Sequence, residues 1–247
     1  MNLLSIFVAI FSKLNFEFIQ NGWMRSFIFK ECKDKNGNPL PLFSYPAIEY
    51  IETLDMSKLK ILEIGSGYST IYFSKRAKKV LSFECDPKWL KKVNNQIKQL
   101  NLEKKVNLKY VDIPKPFNSS SPSFRKKTTE VYLQTIEKVL GSQENKFDLV
   151  VIDGWGYHRL TLSKFIFNYL SDQGFLILDD SDELPKTEKF LNDLGLIQVQ
   201  FKGYCPGGVR HVTSVFFNKK MNIPTLKRDM KISSMFAKRV KRTWIEE

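Results

Sequence analysis

The sequence predicts an α/β domain: a mostly parallel sheet with helices on both faces, closed at its C-terminal end by an antiparallel hairpin. Three observations carry this. From residue 58 onward, short apolar runs alternate with segments of helical periodicity, the pattern of strand–crossover–strand units. The first apolar run, Lys60-Ile61-Leu62-Glu63-Ile64, opens directly onto Gly65-Ser66-Gly67, a turn in which backbone can approach a ligand closely. The last two runs, 197–201 and 212–217, flank Pro206-Gly207-Gly208 and lie too close for a crossover helix, so they should pair as a hairpin.

Each element follows from local signals. Strand 60–64 leads into a helix over 68–75, and strand 80–84 ends on Glu84. Pro87 then starts a helix, where its missing N–H costs nothing, and that helix runs to about residue 100. Strand 106–111 ends at Asp112, and the Pro- and Ser-rich stretch 114–127 reads as a loop before a helix over 128–140, stopped by Gly141. Strand 147–152 ends at Asp153, and a helix follows over 159–170. Strand 175–178 runs into Asp179 and Asp180, and Pro185 opens a helix that Gly195 terminates.

The first turn narrows the chemistry. A strand, a glycine turn and an acid at the tip of the next strand make a nucleoside site, with Glu84 accepting from ribose hydroxyls. A dinucleotide site wants a third glycine, and Thr70 stands there instead. Glu63 would repel a pyrophosphate but attract a cationic cofactor end. On Glu63-Ile64-Gly65-Ser66-Gly67-Tyr68-Ser69 the chain resembles the class I S-adenosylmethionine-dependent methyltransferases, whose first motif is E/D-x-G-x-G-x-[ST]. The resemblance covers about residues 58–218 and implies a Rossmann-like, seven-stranded sheet. It implies a cofactor site built from Glu63, Gly65, Ser66, Gly67, Glu84 and Asp112, the last toward the adenine amino group. Ser44-Tyr45-Pro46-Ala47 and Leu178-Asp179-Asp180-Ser181-Asp182 are similar to a little-characterised bacterial group of these enzymes and add no substrate.

Ligands in such a sheet gather beyond the carboxyl ends of the strands. Asp153, Asp179 and Asp180 fall at two such tips, and three converging carboxylates need a cation between them. Their spacing resembles the catechol and macrolide-sugar O-methyltransferases, whose matching acids hold Mg²⁺, which makes Asp153, Asp179 and Asp180 candidate ligands. The competing expectation has Asp153 orient substrate without a metal. The lysine base of the catechol enzymes is replaced here by Gly156, leaving His158 as the nearest candidate base and Asp153 as its catalytic companion. His158 could equally be a structural residue of the helix start. His211, the other histidine, is a candidate for the acceptor pocket.

The resemblance implies methyl transfer to an oxygen, with a sugar or another small-molecule hydroxyl as acceptor. N-methylation, RNA methylation and a non-catalytic binding role are the alternatives. The charge of +13 does not by itself indicate nucleic acid, because Arg, the preferred fork for phosphate and base edges, supplies only 8 of the 39 basic residues. Three scattered cysteines show no disulfide or metal spacing, which points to a reducing, cytoplasmic setting. Three segments are expected: a helical cap over 1–57, the cofactor domain over 58–218 and a basic tail over 219–247. Leu3, Leu4, Phe7, Ile10, Phe11, Leu14 and Phe18 recur at helical spacing, as an amphipathic helix packed on the domain or as a membrane-surface or partner helix. The basic tail, with Met235, Phe236, Val240 and Trp244 among its charges, leaves the same membrane option open. Phe43 and Tyr45 could line a substrate cleft or staple the cap to the sheet.

Overall fold

The computed structural model describes residues 3–114, 121–141, 146–154 and 156–221. Most of the tail therefore lies outside the described residues. Helix α1 (Leu3–Leu14) continues through a short π-helical turn, Asn15–Gln20, and is followed by α2 (Trp23–Phe29) and α3 (Tyr45–Glu52). Strand β1 (Lys60–Ile64) and helix α4 (Tyr68–Ser74) begin the alternation, which continues with β2 (Lys79–Glu84), α5 (Pro87–Gln99) and β3 (Val106–Tyr110). Then come α6 (Pro122–Leu140), β4 (Phe147–Ile152), α7 (Gly156–Ile166), β5 (Leu170–Leu178), α8 (Pro185–Asp193), β6 (Ile197–Tyr204) and β7 (Arg210–Phe217).

The seven strands form one sheet in the order β3-β2-β1-β4-β5-β7-β6. All pairs are parallel except β5–β7 and β6–β7. The parallel sheet with its closing hairpin is the architecture expected from the sequence. The order reverses between β1 and β4, and a crevice opens there beyond the strand ends.

Alternate residues of each central strand feed two cores, because strand side chains point to opposite faces. Leu62, Ile64, Val150, Ile152, Leu176 and Leu178 pack on one face with Ile136 of α6 and Leu162 and Ile166 of α7. Ile61, Leu149, Val151, Phe175 and Ile177 pack on the other with Ile48 and Ile51 of α3 and Tyr72 and Phe73 of α4. Both faces are covered, which is why these strands read as continuous apolar runs. The segment Leu40–Met56 contributes Leu40, Phe43, Tyr45, Leu54 and Met56 to the second core. Phe43 is wholly buried, with its ring 6.3 Å from that of Phe73, so it acts as a staple. Ser44 ties the same segment to the hairpin, donating from N to Thr213 Oγ1 (3.0 Å) and from Oγ to Phe201 O (2.8 Å).

Two elements differ from expectation. Helix α6 starts at Pro122 rather than near residue 128. Ser121 caps it, its Oγ accepting from Phe124 N at 3.2 Å, and Pro122 occupies the first turn. The Ser-Pro-Ser composition that suggested a loop is a helix start. Helix α1 abuts the domain only lightly, through a pocket that Ile10 and Leu14 line with Tyr45, and Leu4, Ile6, Phe7, Val8, Ile10, Phe11 and Leu14 are all exposed, unlike the apolar face of a helix packed on the domain.

Candidate active site

The turn after β1 forms because Gly65 is there. Its φ is +92°, and a Cβ would lie 2.0 Å from the Asp153 carbonyl oxygen, so no other residue fits. Gly67 donates from its backbone N to Thr70 Oγ1 at 2.9 Å. Glu63 lies fully buried beneath the turn, where its Oε2 accepts from Thr70 Oγ1 and Ser82 Oγ, both at 2.5 Å. Burial pushes its pKa up to about 7, against the hydrogen bonds of Ser82, Thr70 and Ser69. Its Oε1 has no hydrogen-bond partner among the described residues.

Glu84 closes the turn from β2. Its Oε1 accepts from the backbone N of Cys85 and Asp86, each at 2.8 Å, and its Oε2 accepts from Ser66 N and Ser66 Oγ, each at 3.0 Å. Those four bonds use the full acceptor capacity of a carboxylate. Burial still leaves its pKa above the ordinary value. Trp89 of α5 donates from Nε1 to Ser66 O at 2.6 Å. Beside this turn lies a cleft of about 240 Å³, lined by Gly65, Ser66, Glu84, Trp89, Tyr132 and Asp153 among others.

The opposite wall is organised by Arg159, a buried residue of α7. Its guanidinium donates to Gly154 O from Nε (2.9 Å) and from a terminal nitrogen (2.6 Å), and to Asp179 O. It also forms ion pairs with Asp153 Oδ1 at 3.2 Å and Asp180 Oδ2 at 3.5 Å. Asp180, in the left-handed region at φ +49°, meets His211 Nδ1 through Oδ1 at 2.6 Å. Asp179 Oδ1 accepts from Thr213 Oγ1 at 2.6 Å and lies 4.0 Å from His211 Nε2.

Each group titrates accordingly. Burial raises the Asp153 pKa against the pull of Arg159. Burial and then the Asp153 charge raise Asp179 well above the usual carboxylate range. The His211 hydrogen bond holds Asp180 low. Burial alone would lower His211, but its bond to Asp180 and the charges of Asp179, Asp180 and Asp182 raise it on balance.

The expected site residues therefore separate. Glu63, Gly65, Ser66, Gly67 and Glu84 surround one turn, and Asp153 shares the cleft with Ser66 and Glu84. Asp112 is exposed beyond β3, accepts from Tyr110 OH at 3.3 Å, and is not among the cleft-lining residues. His158 is buried, 1% exposed, with Nδ1 2.5 Å from Thr129 Oγ1 and its ring 5.5 Å from Tyr132. Burial, then the Arg125 charge, pushes its pKa down to about 4. It too is absent from the cleft lining. Among the described residues, the group with metal-ligand spacing is Asp179, Asp180 and His211, whose candidate ligand atoms lie within 4.8 Å of one another. Asp153 is joined to Asp180 through Arg159 instead.

No protein-family model matches the chain, and no curated protein does. Solved structures do. An O-methyltransferase from Bacillus cereus in complex with S-adenosylhomocysteine aligns at 14% identity over 87% of this chain and 100% of its own, with a TM-score of 0.54. A Staphylococcus aureus protein provisionally described as a caffeoyl-CoA O-methyltransferase aligns at 12% identity over 88% and 100%, with a TM-score of 0.53. TomG from Streptomyces achromogenes, an O-methyltransferase of tomaymycin synthesis solved with S-adenosylmethionine, aligns at 10% identity over 70% and 76%, with a TM-score of 0.51. The fold is that of the class I methyltransferases.

Within this methyltransferase fold, sequence reasoning missed Arg159, Trp89 and Tyr132. The signal for Arg159 was present: one of only eight arginines follows His158 directly, at the helix start after the Asp153 strand. Trp89 and Tyr132 carry no such mark, since an aromatic on a helix is ordinarily core.

Proposed function

We propose that the protein transfers a methyl group from S-adenosylmethionine to a hydroxyl of a small molecule, with sugars as the first class to test. The observation that carries this is the cleft shared by the Gly65–Ser66 turn, Glu84 and Asp153 at the strand-order reversal of a methyltransferase fold. The residues suit the cofactor. Glu63, fully buried beneath the turn and outside the cleft lining, would favour the cofactor's cationic end through the turn or through water rather than by direct contact. Glu84 would accept ribose hydroxyls once Ser66 Oγ turns aside, and Asp112, exposed just past β3 and outside the cleft lining, would meet the adenine amino group only where the adenine extends beyond the cleft. When bound, the cofactor supplies the electrophilic methyl and a neutral thioether leaving group. Asp153 then holds the acceptor hydroxyl and removes its proton. Of the candidate bases it alone lines the cleft, and its raised pKa favours proton uptake. His158 keeps a structural place between α6 and α7.

Mg²⁺ is not part of this proposal. The acids of the expected metal set already have a cation, because the Arg159 guanidinium pairs with both Asp153 and Asp180. Asp179 and Asp180 are committed to Thr213 and His211, which leaves few of the hard oxygen ligands that Mg²⁺ demands. The three cysteines are unpaired and suit a reducing compartment such as the cytoplasm. A peripheral membrane contact through the N-terminal helix belongs to the same proposal, supported by its exposed apolar side chains.

The test is calorimetric titration with S-adenosylhomocysteine and with NAD, followed by methylation of fractionated small-molecule extract with labelled cofactor. S-adenosylhomocysteine should bind in the micromolar range, worth about 8 kcal/mol, and NAD should not. Glu84→Ala should weaken binding by about 1.5–3 kcal/mol through loss of charge-assisted hydrogen bonds. NAD binding, or unchanged affinity in Glu84→Ala, would overturn the cofactor assignment.

A further inference from the structure

Twelve of the twenty large apolar side chains exposed among the described residues lie between Leu4 and Phe29, so exposure is concentrated in one small part of the chain. On α1, the consecutive residues Ile6, Phe7 and Val8 are all exposed, which makes the helix apolar around most of its circumference. Phe27, Ile28 and Phe29 repeat the pattern at the end of α2.

This surface continues onto the hairpin. The Phe18 ring lies 5.1 Å from Trp23 and 6.2 Å from Tyr204 of β6. Trp23 Nε1 donates to Gly208 O at 2.9 Å, and beside it Val209 is 77% exposed. Between α1 and the hairpin lies a pocket of about 440 Å³. Ile10, Leu14, Phe18 and Tyr45 are among its lining, together with the exposed cations Lys202 and Arg210.

We propose that α1, α2 and the β6–β7 turn seat on an anionic lipid bilayer, with the pocket under α1 taking an acyl chain and Lys202 and Arg210 meeting its acidic headgroup. This extends the membrane contact proposed above and is independent of the methyl-transfer chemistry. Charge selects the occupant. Lys30 Nζ stands 4.5 Å from the Phe27 ring centroid and Arg25 Cζ 5.2 Å from that of Phe29, so cations flank the apolar rings as they do at a headgroup boundary. A second copy would bring the same cations and another net charge of +13 to the same face, whereas an anionic bilayer brings the opposite charge. Among the described residues no helix is long and apolar enough to cross a membrane, so the contact lies on the surface.

The experiment is co-sedimentation of the full chain with vesicles of phosphatidylcholine alone and of phosphatidylcholine with phosphatidylglycerol. The acidic vesicles should capture at least tenfold more protein. The double variant Phe7→Ser/Phe11→Ser should lose that capture by tenfold or more, and Lys202→Glu/Arg210→Glu should lose most of the preference for acidic vesicles. Both variants should bind S-adenosylhomocysteine as the parent does, which separates this seat from the cofactor site. Absence of capture, equal capture by both vesicles, or unchanged capture of either variant would overturn the proposal. So would a dimer that Phe7→Ser/Phe11→Ser dissociates while the parent ignores vesicles.

Discussion

The two walls of the cleft hold their acids by different means. Along β1 and β2, Glu63 and Glu84 are surrounded by neutral donors: the hydroxyls of Ser66, Thr70 and Ser82 and the backbone N–H groups of Ser66, Cys85 and Asp86. Along β4 and β5, Asp153 and Asp180 share one guanidinium. A wall of dipoles loses little when one donor goes, because the remaining bonds persist and the acid can take up a proton. A wall built on one full charge is weakened when that charge is removed, because the half-buried Asp153 and Asp180 then stand beside like charges with no cation between them. This contrast suits the two tasks. Under the proposed function the turn would exchange Ser66 Oγ for a ribose hydroxyl at small cost, while Asp153 would need a fixed position to meet an acceptor.

The largest expected effects lie on the charged wall. Arg159→Met should destabilise the fold by about 1.5–3 kcal/mol, the range for losing charge-assisted hydrogen bonds to partly buried partners. Denaturant unfolding measures it, and the deficit should shrink toward pH 4 as the stranded acids protonate. A loss below about 1 kcal/mol would mean that Arg159 is not the organising cation. Asp153→Asn should leave S-adenosylhomocysteine affinity nearly unchanged and lower turnover by about 10²–10⁴-fold, the usual span for a removed general base. Turnover by the parent should survive chelator, because Arg159 provides the positive charge. Chelator-sensitive turnover restored by Mg²⁺ would return the metal to the site.

Effects of intermediate size separate the walls by pH. Glu63 has a folded pKa of about 7, above its ordinary value of 4.5, so folding favours its protonated form. The stability tied to it is full below about pH 4.5 and is lost as pH rises through 7, on the order of 3 kcal/mol at 1.36 kcal/mol per pKa unit. His158 acts in the opposite sense. Its pKa is depressed from 6.5 to about 4, so its stability is present above 6.5 and is lost as pH falls through 4, again about 3 kcal/mol. Unfolding midpoints at pH 4, 6 and 8 should show Glu63→Gln flattening the alkaline side and His158→Asn the acid side. S-adenosylhomocysteine should also raise stability more at pH 8 than at pH 5, since its ammonium favours ionised Glu63. Parallel pH profiles for parent and Glu63→Gln would break that link.

The walls also differ in how far the sequence disclosed them. The dipole wall is local. Gly65, Ser66, Gly67 and Thr70 fall within one turn, and Glu84 ends the adjacent strand, so periodicity and turn chemistry place them together. The charged wall is assembled from the tips of β4 and β5 and the starts of α7 and β7, and nothing in their spacing says which side chain turns inward. Strand order placed Asp153 and Asp180 near enough to share a cation, but did not dictate the turn of the Asp179 carboxylate toward Thr213. The cation's identity as Arg159 did not follow either, because the residue after His158 can face the crevice or solvent depending on where α7 begins. For His158 the sequence left a base and a structural role both open; its partner Thr129 stands on α6, 29 residues away, and no local spacing pairs the two.

The smallest effect is the most diagnostic of the dipole wall. Ser66 donates twice to Glu84 Oε2, through its backbone N and its Oγ, both at 3.0 Å. If a ribose hydroxyl takes the place of Ser66 Oγ, the serine hydroxyl competes with the cofactor rather than holding it. Ser66→Ala should then leave S-adenosylhomocysteine binding unchanged or tighten it, by less than about 1 kcal/mol, the net worth of one exchanged hydrogen bond. The backbone N–H to Glu84 survives the substitution, so the turn should keep its shape and its thermal midpoint should move little. Calorimetric titration of parent and variant at one pH gives the sign. Weakening by more than 1.5 kcal/mol would mean that Ser66 Oγ contacts the cofactor itself, and that Glu84 meets the ribose with its present bonds intact.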